Sequence, residues 1–231
     1  MSAAEQAQVA IGLQAVRERI AAACVKAGRS PESVKLIAVS KRHSVDAIRT
    51  AYAQGQREFG ENYVQELVQK AAELADLSDL RWRLIGRLQR NKAKEVARIG
   101  CAVDTVDSLR LGDALAARAA EEGRTLEVLV QVNIGAEAQK AGSAIADLPG
   151  LVAGLRALPA LHLRGLLAIP PVVSDPEHSR ASFRRLRELG SEHGLHELSM
   201  GMSDDLEVAI QEGATMLRIG TAIFGQRPSA A

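Results

Sequence analysis

Lys35-Leu36-Ile37-Ala38-Val39-Ser40-Lys41 is the stretch from which the fold can be worked out. Its apolar centre contains β-branched residues and predicts a short buried strand. Lys41 follows that strand directly, so we expect its side chain to point into whatever cavity lies at the carboxyl end of the strand. Most lysines at such positions are solvated surface groups, and this stretch alone leaves open whether Lys41 is reactive.

Apolar runs of this kind alternate with helical patterns along the rest of the chain. Further strands are predicted near 57–60, 81–86, 101–106, 126–133, 161–169, 196–200 and 215–219. Helices are predicted near 44–54, 90–99, 108–122, 143–157, 177–193 and 204–212, and residues 61–66 are predicted to open another. Eight strands alternating with helices favour an α/β fold, a single (β/α)8 TIM barrel domain spanning 1–231. A doubly wound open sheet would also alternate and is the structural alternative.

The chain begins with a predicted helix over 2–27. Its apolar residues recur every three or four positions, at Val9, Leu13, Val16, Ile20 and Cys24. Ser2-Ala3-Ala4-Glu5 matches a capping box at its start. Few residues follow the eighth strand, so we expect this N-terminal helix to cover the barrel at that point.

Composition excludes several classes of function. The 29 basic and 28 acidic residues give a net charge of +1, and aromatic residues make up 3 % of the chain, so no nucleic acid partner is expected. No apolar run approaches the roughly 20 residues that span a bilayer, and no signal peptide is evident, so we expect a cytoplasmic protein without membrane contact. Cys24 and Cys101 are predicted to be packing residues. His193 and His196 lack a third ligand nearby, so no metal site is expected.

The functional candidates are polar or small residues at the carboxyl ends of the strands, where barrels carry their sites. The loops after strands 7 and 8 often form a phosphate site, and here they carry Ser203 at a predicted helix start and Arg218-Ile219-Gly220-Thr221. Ser203 could instead be only a helix cap and Thr221 only a turn residue. A phosphate site together with Lys41 suggests a phosphorylated aldehyde held as a Schiff base, for which pyridoxal 5′-phosphate is the natural ligand.

With these motifs, the chain resembles the pyridoxal phosphate homeostasis proteins, which are similar to the barrel domain of alanine racemase without its second domain. The resemblance extends over nearly the whole chain. It rests on Ala38–Lys41, Phe59–Glu66, Ile85-Gly86, Leu88-Gln89, Asn91-Lys92, Gln131–Asn133, Leu163–Leu166, Leu198–Asp205 and Arg218–Gly225.

The resemblance implies that the cofactor is covalently attached and that its phosphate is held at the end of the barrel. Lys41 would form the Schiff base with the cofactor aldehyde. Ser203, Gly220 and Thr221 would hold the phosphate.

The resemblance also implies how the pyridine ring is surrounded. Arg218 would face the ring nitrogen and disfavour its protonation, because two cations repel each other. Asn62 and Met200 would line the ring. Arg83 departs from the family pattern, which usually has histidine after the tryptophan, so the resemblance gives this position no role. Lys140 matches a family lysine, and we interpret it as a solvated loop residue rather than a second amine for the cofactor.

Two functions of different classes follow. The first is a protein of intracellular pyridoxal phosphate homeostasis that carries or buffers the cofactor, is not an enzyme, acts as a monomer or weak dimer and serves apo forms of pyridoxal-phosphate enzymes. The second is a pyridoxal-phosphate-dependent racemase or related enzyme. A two-base racemase needs a group on each face of the cofactor, and Tyr52 and Tyr63 fall in predicted helices, so we expect the first function. A barrel for another phosphorylated metabolite is a third possibility.

Overall fold

The structure is a computed structural model that describes residues 1–135, 137, 141–171 and 173–226. Eight parallel strands form a closed barrel in sequence order, which confirms the predicted (β/α)8 fold and excludes the open sheet. The strands are β1 (Lys35–Val39), β2 (Glu58–Glu61), β3 (Arg81–Leu84), β4 (Ala102–Val106), β5 (Leu126–Gln131), β6 (Leu161–Leu167), β7 (Glu197–Ser199) and β8 (Met216–Ile219). Closure places Lys35–Ala38 beside Met216–Ile219, so the first and last strands are neighbours.

The helices surround the barrel and lie close to their predicted positions. They are α1 (Ala3–Lys26), α2 (Val45–Ala53), α3 (Val64–Glu73), α4 (Ala93–Ile99), α5 (Leu109–Glu121), α6 (Leu148–Arg156), α7 (Arg180–Glu192), α8 (Leu206–Gln211) and α9 (Thr221–Phe224). None of the helices in the described part of the chain is long and apolar enough to cross a membrane.

Helix α1 covers the barrel where α9 supplies only a single turn, as the sequence predicts. The whole predicted apolar stripe is buried, and the Ser2–Glu5 capping box forms. Gly12 brings α1 against α9 so closely that an added Cβ would lie 2.6 Å from the carbonyl oxygen of Ala222. The long helix thereby fills the gap left by the short terminal one. Cys24 and Cys101 are buried free thiols, as predicted.

The interior of the barrel is filled by side chains rather than open. Ile37, Leu129, Leu167 and Met216 form a fully buried cluster at its centre. Side chains that point inward from parallel strands pack in layers, which makes such a barrel a solid core. The chemistry is therefore confined to the two ends of the barrel.

Arg83 has a structural role inside the barrel that the sequence did not reveal. Its guanidinium donates from Nε and Nη2 to the carboxylate of Asp104, and the shortest of these hydrogen bonds is 2.7 Å. Arg83 is 2 % exposed and Asp104 is fully buried. Glu58 and Glu127 lie 3.7 Å from the same guanidinium. Burial alone would lower the pKa of Arg83, but the charge and hydrogen bonds of Asp104, followed by the charges of Glu58 and Glu127, raise it above its usual value. The positive charge of Arg83 is thus balanced by the carboxylates that surround it.

Candidate functional site

A cavity of about 540 Å³ opens at the carboxyl ends of the strands. Its wall contains six of the seven residues predicted to bind the cofactor: Lys41, Asn62, Ser203, Arg218, Gly220 and Thr221. Val39 and Ile85 provide apolar wall, as do Ile169 and Met202 near the opening. Residues that are distant in sequence therefore meet in one concave site of the size that small-molecule ligands occupy.

Lys41 lies in a tight turn that directly follows β1. The N–H of Ser40 still pairs with the carbonyl of Gly60 on β2, and the N–H of His43 folds back onto the carbonyl of Ser40. Between them, Arg42 adopts a φ of 63°, a left-handed conformation that side chains other than glycine rarely adopt. Such a turn persists only where the surroundings impose it.

A buried network under this turn supplies that constraint. The ammonium of Lys70 donates to the carbonyl oxygen of Ser40 at 2.7 Å, to Oε1 of Glu61 at 2.8 Å and to Oε1 of Glu66 at 2.7 Å. The hydroxyl of Ser40 donates to the same oxygen of Glu61 at 2.7 Å, and the N–H of Arg42 donates to Glu66. Burial raises the pKa of Glu61, and the attraction of Lys70 only partly offsets it. The network fixes the backbone on both sides of Lys41.

The network was not predicted from the sequence, although the pattern of buried residues in α3 indicates it. Val64, Leu67 and Lys70 are the buried residues of that helix and lie on one face at spacings of three. A lysine on the apolar face of an amphipathic helix needs a buried partner. The buried partner of Lys70 is Glu61, at the end of β2.

The loop after β7 is held in place by backbone and side-chain hydrogen bonds. Helix α8 begins at Leu206 with Asp205 as its N-cap residue, so Ser203 lies in the preceding turn and not at the helix start that the sequence predicted. Oδ1 of Asp205 accepts from the N–H of Met202 at 2.7 Å, and the N–H of Arg218 donates to the carbonyl of Gly201 at 3.1 Å. These bonds orient the turn that presents Ser203 to the cavity.

Helix α1 also contributes to this end of the cavity, which the sequence did not indicate. Nη2 of Arg19 donates to the carbonyl oxygen of Ser203 at 3.0 Å, and the same guanidinium pairs with Glu207 of α8. Arg19 lines the cavity alongside Gly220 and Thr221. The helix that closes the barrel therefore places a second cation beside the expected phosphate position.

Arg218 is a fixed cation in the cavity wall. Its side chain is buried and donates to the hydroxyl of Ser199 at 2.8 Å and to the carbonyl of Ala168 at 3.0 Å. Burial lowers the pKa of Arg218 to about 10, while the negative charges of Asp104 and Asp205 act in the opposite direction. Its two hydrogen bonds hold the guanidinium between the end of β7 and the residue that follows β6.

The other predicted residues differ in placement. Met200 is fully buried, with its N–H bonded to the carbonyl of Met216, and it does not line the described cavity. Met202, which is 40 % exposed, lines the opening instead. Lys140 lies outside the described residues.

Comparison with known proteins agrees with the geometry. The alanine racemase N-terminal domain family matches residues 11–228, so the fold and site define a barrel of the alanine racemase N-terminal class. A pyridoxal phosphate homeostasis protein of Pseudomonas aeruginosa is 48% identical over 221 residues, covering 95% of this chain and 96% of that relative. PipY of Synechococcus elongatus, solved with PLP bound, is 40% identical with a TM-score of 0.81, covering 94% of this chain and 100% of PipY. This chain belongs to the family of pyridoxal phosphate homeostasis proteins.

The racemases themselves are more distant. An alanine racemase of Clostridium difficile gives a TM-score of 0.69 at 14% identity, covering 85% of this chain and 53% of the racemase. At that identity the likeness concerns the fold alone.

Proposed function

We propose that this chain binds pyridoxal 5′-phosphate in the cavity and carries or buffers it for intracellular homeostasis. The principal support is that Lys41 shares one cavity with Ser203, Gly220 and Thr221 at one end and Arg218 in its wall. These groups match the ligand: an amine for its aldehyde, small and hydroxyl-bearing residues for its phosphate, and a cation for its ring. Lys41 would hold the aldehyde as a Schiff base, and the apolar wall would cover the ring.

The position of Arg218 favours a protein that carries the cofactor over an enzyme that uses it in catalysis. When bound, pyridoxal phosphate supplies a ring that withdraws electrons best with its nitrogen protonated. The guanidinium of Arg218, fixed by Ser199 and the carbonyl of Ala168, disfavours a second positive charge beside it. We therefore infer a non-enzymatic carrier that acts in the cytoplasm as a monomer or weak dimer, with apo forms of pyridoxal-phosphate enzymes as its partners.

The visible absorption of the purified chain tests the proposal. After incubation with pyridoxal phosphate and gel filtration, the chain should carry the yellow band of a Schiff base. Borohydride reduction of its C=N bond should bleach this band and leave the cofactor attached through a stable secondary amine. Lys41→Ala should lose the band, whereas Lys26→Ala, at the exposed end of α1, should keep it. Equal bands in all three proteins would refute Lys41 as the point of attachment, and tight binding of a sugar phosphate without pyridoxal phosphate would refute this ligand.

The racemase alternative draws on the fold that the chain shares with alanine racemases. It is distinguished by exchange of the α-hydrogen of alanine in deuterium oxide. A carrier should leave the α-hydrogen in place over hours, while exchange at rates of a dedicated enzyme would replace our proposal with the racemase.

A further inference from the structure

A second cavity lies beside the first, at the same end of the barrel. This β2–β4 groove is lined by residues within 62–65, 87–92 and 107–111 and has a volume of about 630 Å³. Asn62 lines both cavities, so a ligand in the groove would be adjacent to the cofactor. The groove contains Leu88-Gln89 and Lys92, parts of the sequence motifs for which the proposed function provides no role.

The groove concentrates positive charge that the protein does not neutralise. Its lining includes Arg87, Arg90, Lys92 and Arg110. Across the described residues, no hydrogen bond or ion pair involves the side chain of any of these three arginines, and Lys92 lies 3.4 Å from Glu95. Asp107 is the single acidic residue that the described lining contains.

A second cluster of arginines on the surface has its counterion within the protein. Arg180, Arg184 and Arg187 also cluster, yet all three lie within 3.2 Å of the carboxylate of Glu212. Like charges held close together repel unless an anion lies between them. Asp107 is the one carboxylate in the described lining, and no ion pair among the described residues joins it to these arginines, so an external anion is the natural counterpart.

Backbone donors and helix dipoles add to the attraction for an anion. Helices α3 and α5 have 10 and 13 residues, and both begin at the groove. Their N-cap residues, Tyr63 and Ser108, make no side-chain capping hydrogen bond. The first N–H groups of two helices and their positive dipole ends therefore face the same space as the arginines.

The shape of the groove narrows the class of ligand. Its volume suits a small molecule rather than an extended macromolecular surface. Leu88 and Leu111 are buried and form an apolar floor, while Tyr63 is 50 % exposed at the rim, where its ring offers a flat face for stacking. We propose that the β2–β4 groove binds a nucleotide, with its phosphates on Arg87, Arg90 and Arg110 and its base against Tyr63.

Calorimetric titration of the cofactor-loaded full chain at low salt tests this site. Four probes separate the sources of binding: ADP, pyrophosphate, adenosine and a short polyglutamate peptide. We expect ADP to bind best, pyrophosphate more weakly, and adenosine least. Binding of ADP should weaken as salt is raised, because the phosphate contacts are screened. The cofactor absorption band should remain throughout, which separates this site from the first cavity.

Substitutions locate the binding. Arg90→Gln and Arg110→Gln should each weaken ADP and pyrophosphate by about tenfold, the effect of losing one charge-assisted hydrogen bond. Tyr63→Ala should weaken ADP alone. Arg124→Gln is the matched control, because Arg124 is also exposed but lies before β5 at the opposite end of the barrel. Unchanged melting temperatures would show that the variants fold.

Three results would overturn the proposal. The first is no measurable heat with either ADP or pyrophosphate. The second is equal binding of ADP to the Tyr63→Ala variant and the parent, which would show that the base does not stack on Tyr63. The third is displacement of ADP by polyglutamate at lower concentration than by pyrophosphate, which would make the groove a docking site for an acidic protein segment.

Discussion

Replacing Arg83 with methionine tests whether a buried ion pair holds the barrel interior together. The change removes the hydrogen bonds of 2.7 to 3.1 Å that Asp104 accepts and leaves a fully buried carboxylate without its hydrogen-bonded cation. Breaking such a pair from one side costs about 3–5 kcal/mol, because the remaining charge keeps its desolvation penalty. In a chain of this size that corresponds to a fall in melting temperature of about 6–20 °C.

Urea unfolding followed by circular dichroism measures the loss. Arg83→Met should lower the midpoint without changing the slope, and the double variant Arg83→Met/Asp104→Leu should recover most of the lost stability, since neither charge of the pair remains. Arg81→Met is the matched control on the same strand: Arg81 is 74 % exposed and lies 3.5 Å from Glu58, so its loss should cost at most about 1 kcal/mol.

Two outcomes would refute this reasoning. A loss below about 1 kcal/mol for Arg83→Met would mean that water or other groups compensate Asp104 without the arginine. A double variant that is less stable than Arg83→Met would mean that packing volume, and not the unpaired charge, carries the effect.

Three further predictions concern other parts of the fold. Gly201→Ala should cost more than about 1–2 kcal/mol in thermal unfolding, because φ is +94° and the new Cβ would lie 2.6 Å from that of Ala209; Gly28→Ala, with open space around it, should cost less. Glu212→Gln should destabilise the chain at pH 7, and the difference in stability between variant and parent should shrink below pH 4.5. Burial alone would raise the pKa of Glu212, but its arginine partners lower it below 4.5. The native state therefore binds fewer protons than the unfolded state near this pH, and the stabilisation is lost as Glu212 becomes protonated. Equal differences at pH 7 and pH 3 would contradict this. Lys70→Met should release Ser40 and Glu61 and weaken cofactor retention on gel filtration, and unchanged retention would show that the network does not position Lys41.

The architecture could be predicted from the sequence because helices and strands depend on side-chain patterns that extend over only a few residues. The run from Lys35 to Lys41, repeated in kind along the chain, predicted the barrel, and the stripe from Val9 to Cys24 predicted a buried face of α1. The strand ends pointed to Lys41 and to the loops after β7 and β8, which the structure places in one cavity.

Contacts between distant residues were decided only by the tertiary structure. Periodicity gave no means to pair Arg83 with Asp104, to bring Arg19 of α1 to Ser203, or to distinguish the buried Met200 from Met202 at the cavity. These contacts depend on strand register, loop geometry and the packing of the first helix against the last.

The sequence by itself determined that Lys41 would follow an apolar strand and that small and hydroxyl residues would follow the last strands. Only barrel closure made Lys35–Ala38 the neighbour of Met216–Ile219 and so brought Lys41 into one cavity with Arg218 and Thr221. The physical reason is that the pattern of side chains along a strand is local, whereas the pairing of the first strand with the last depends on how all eight close.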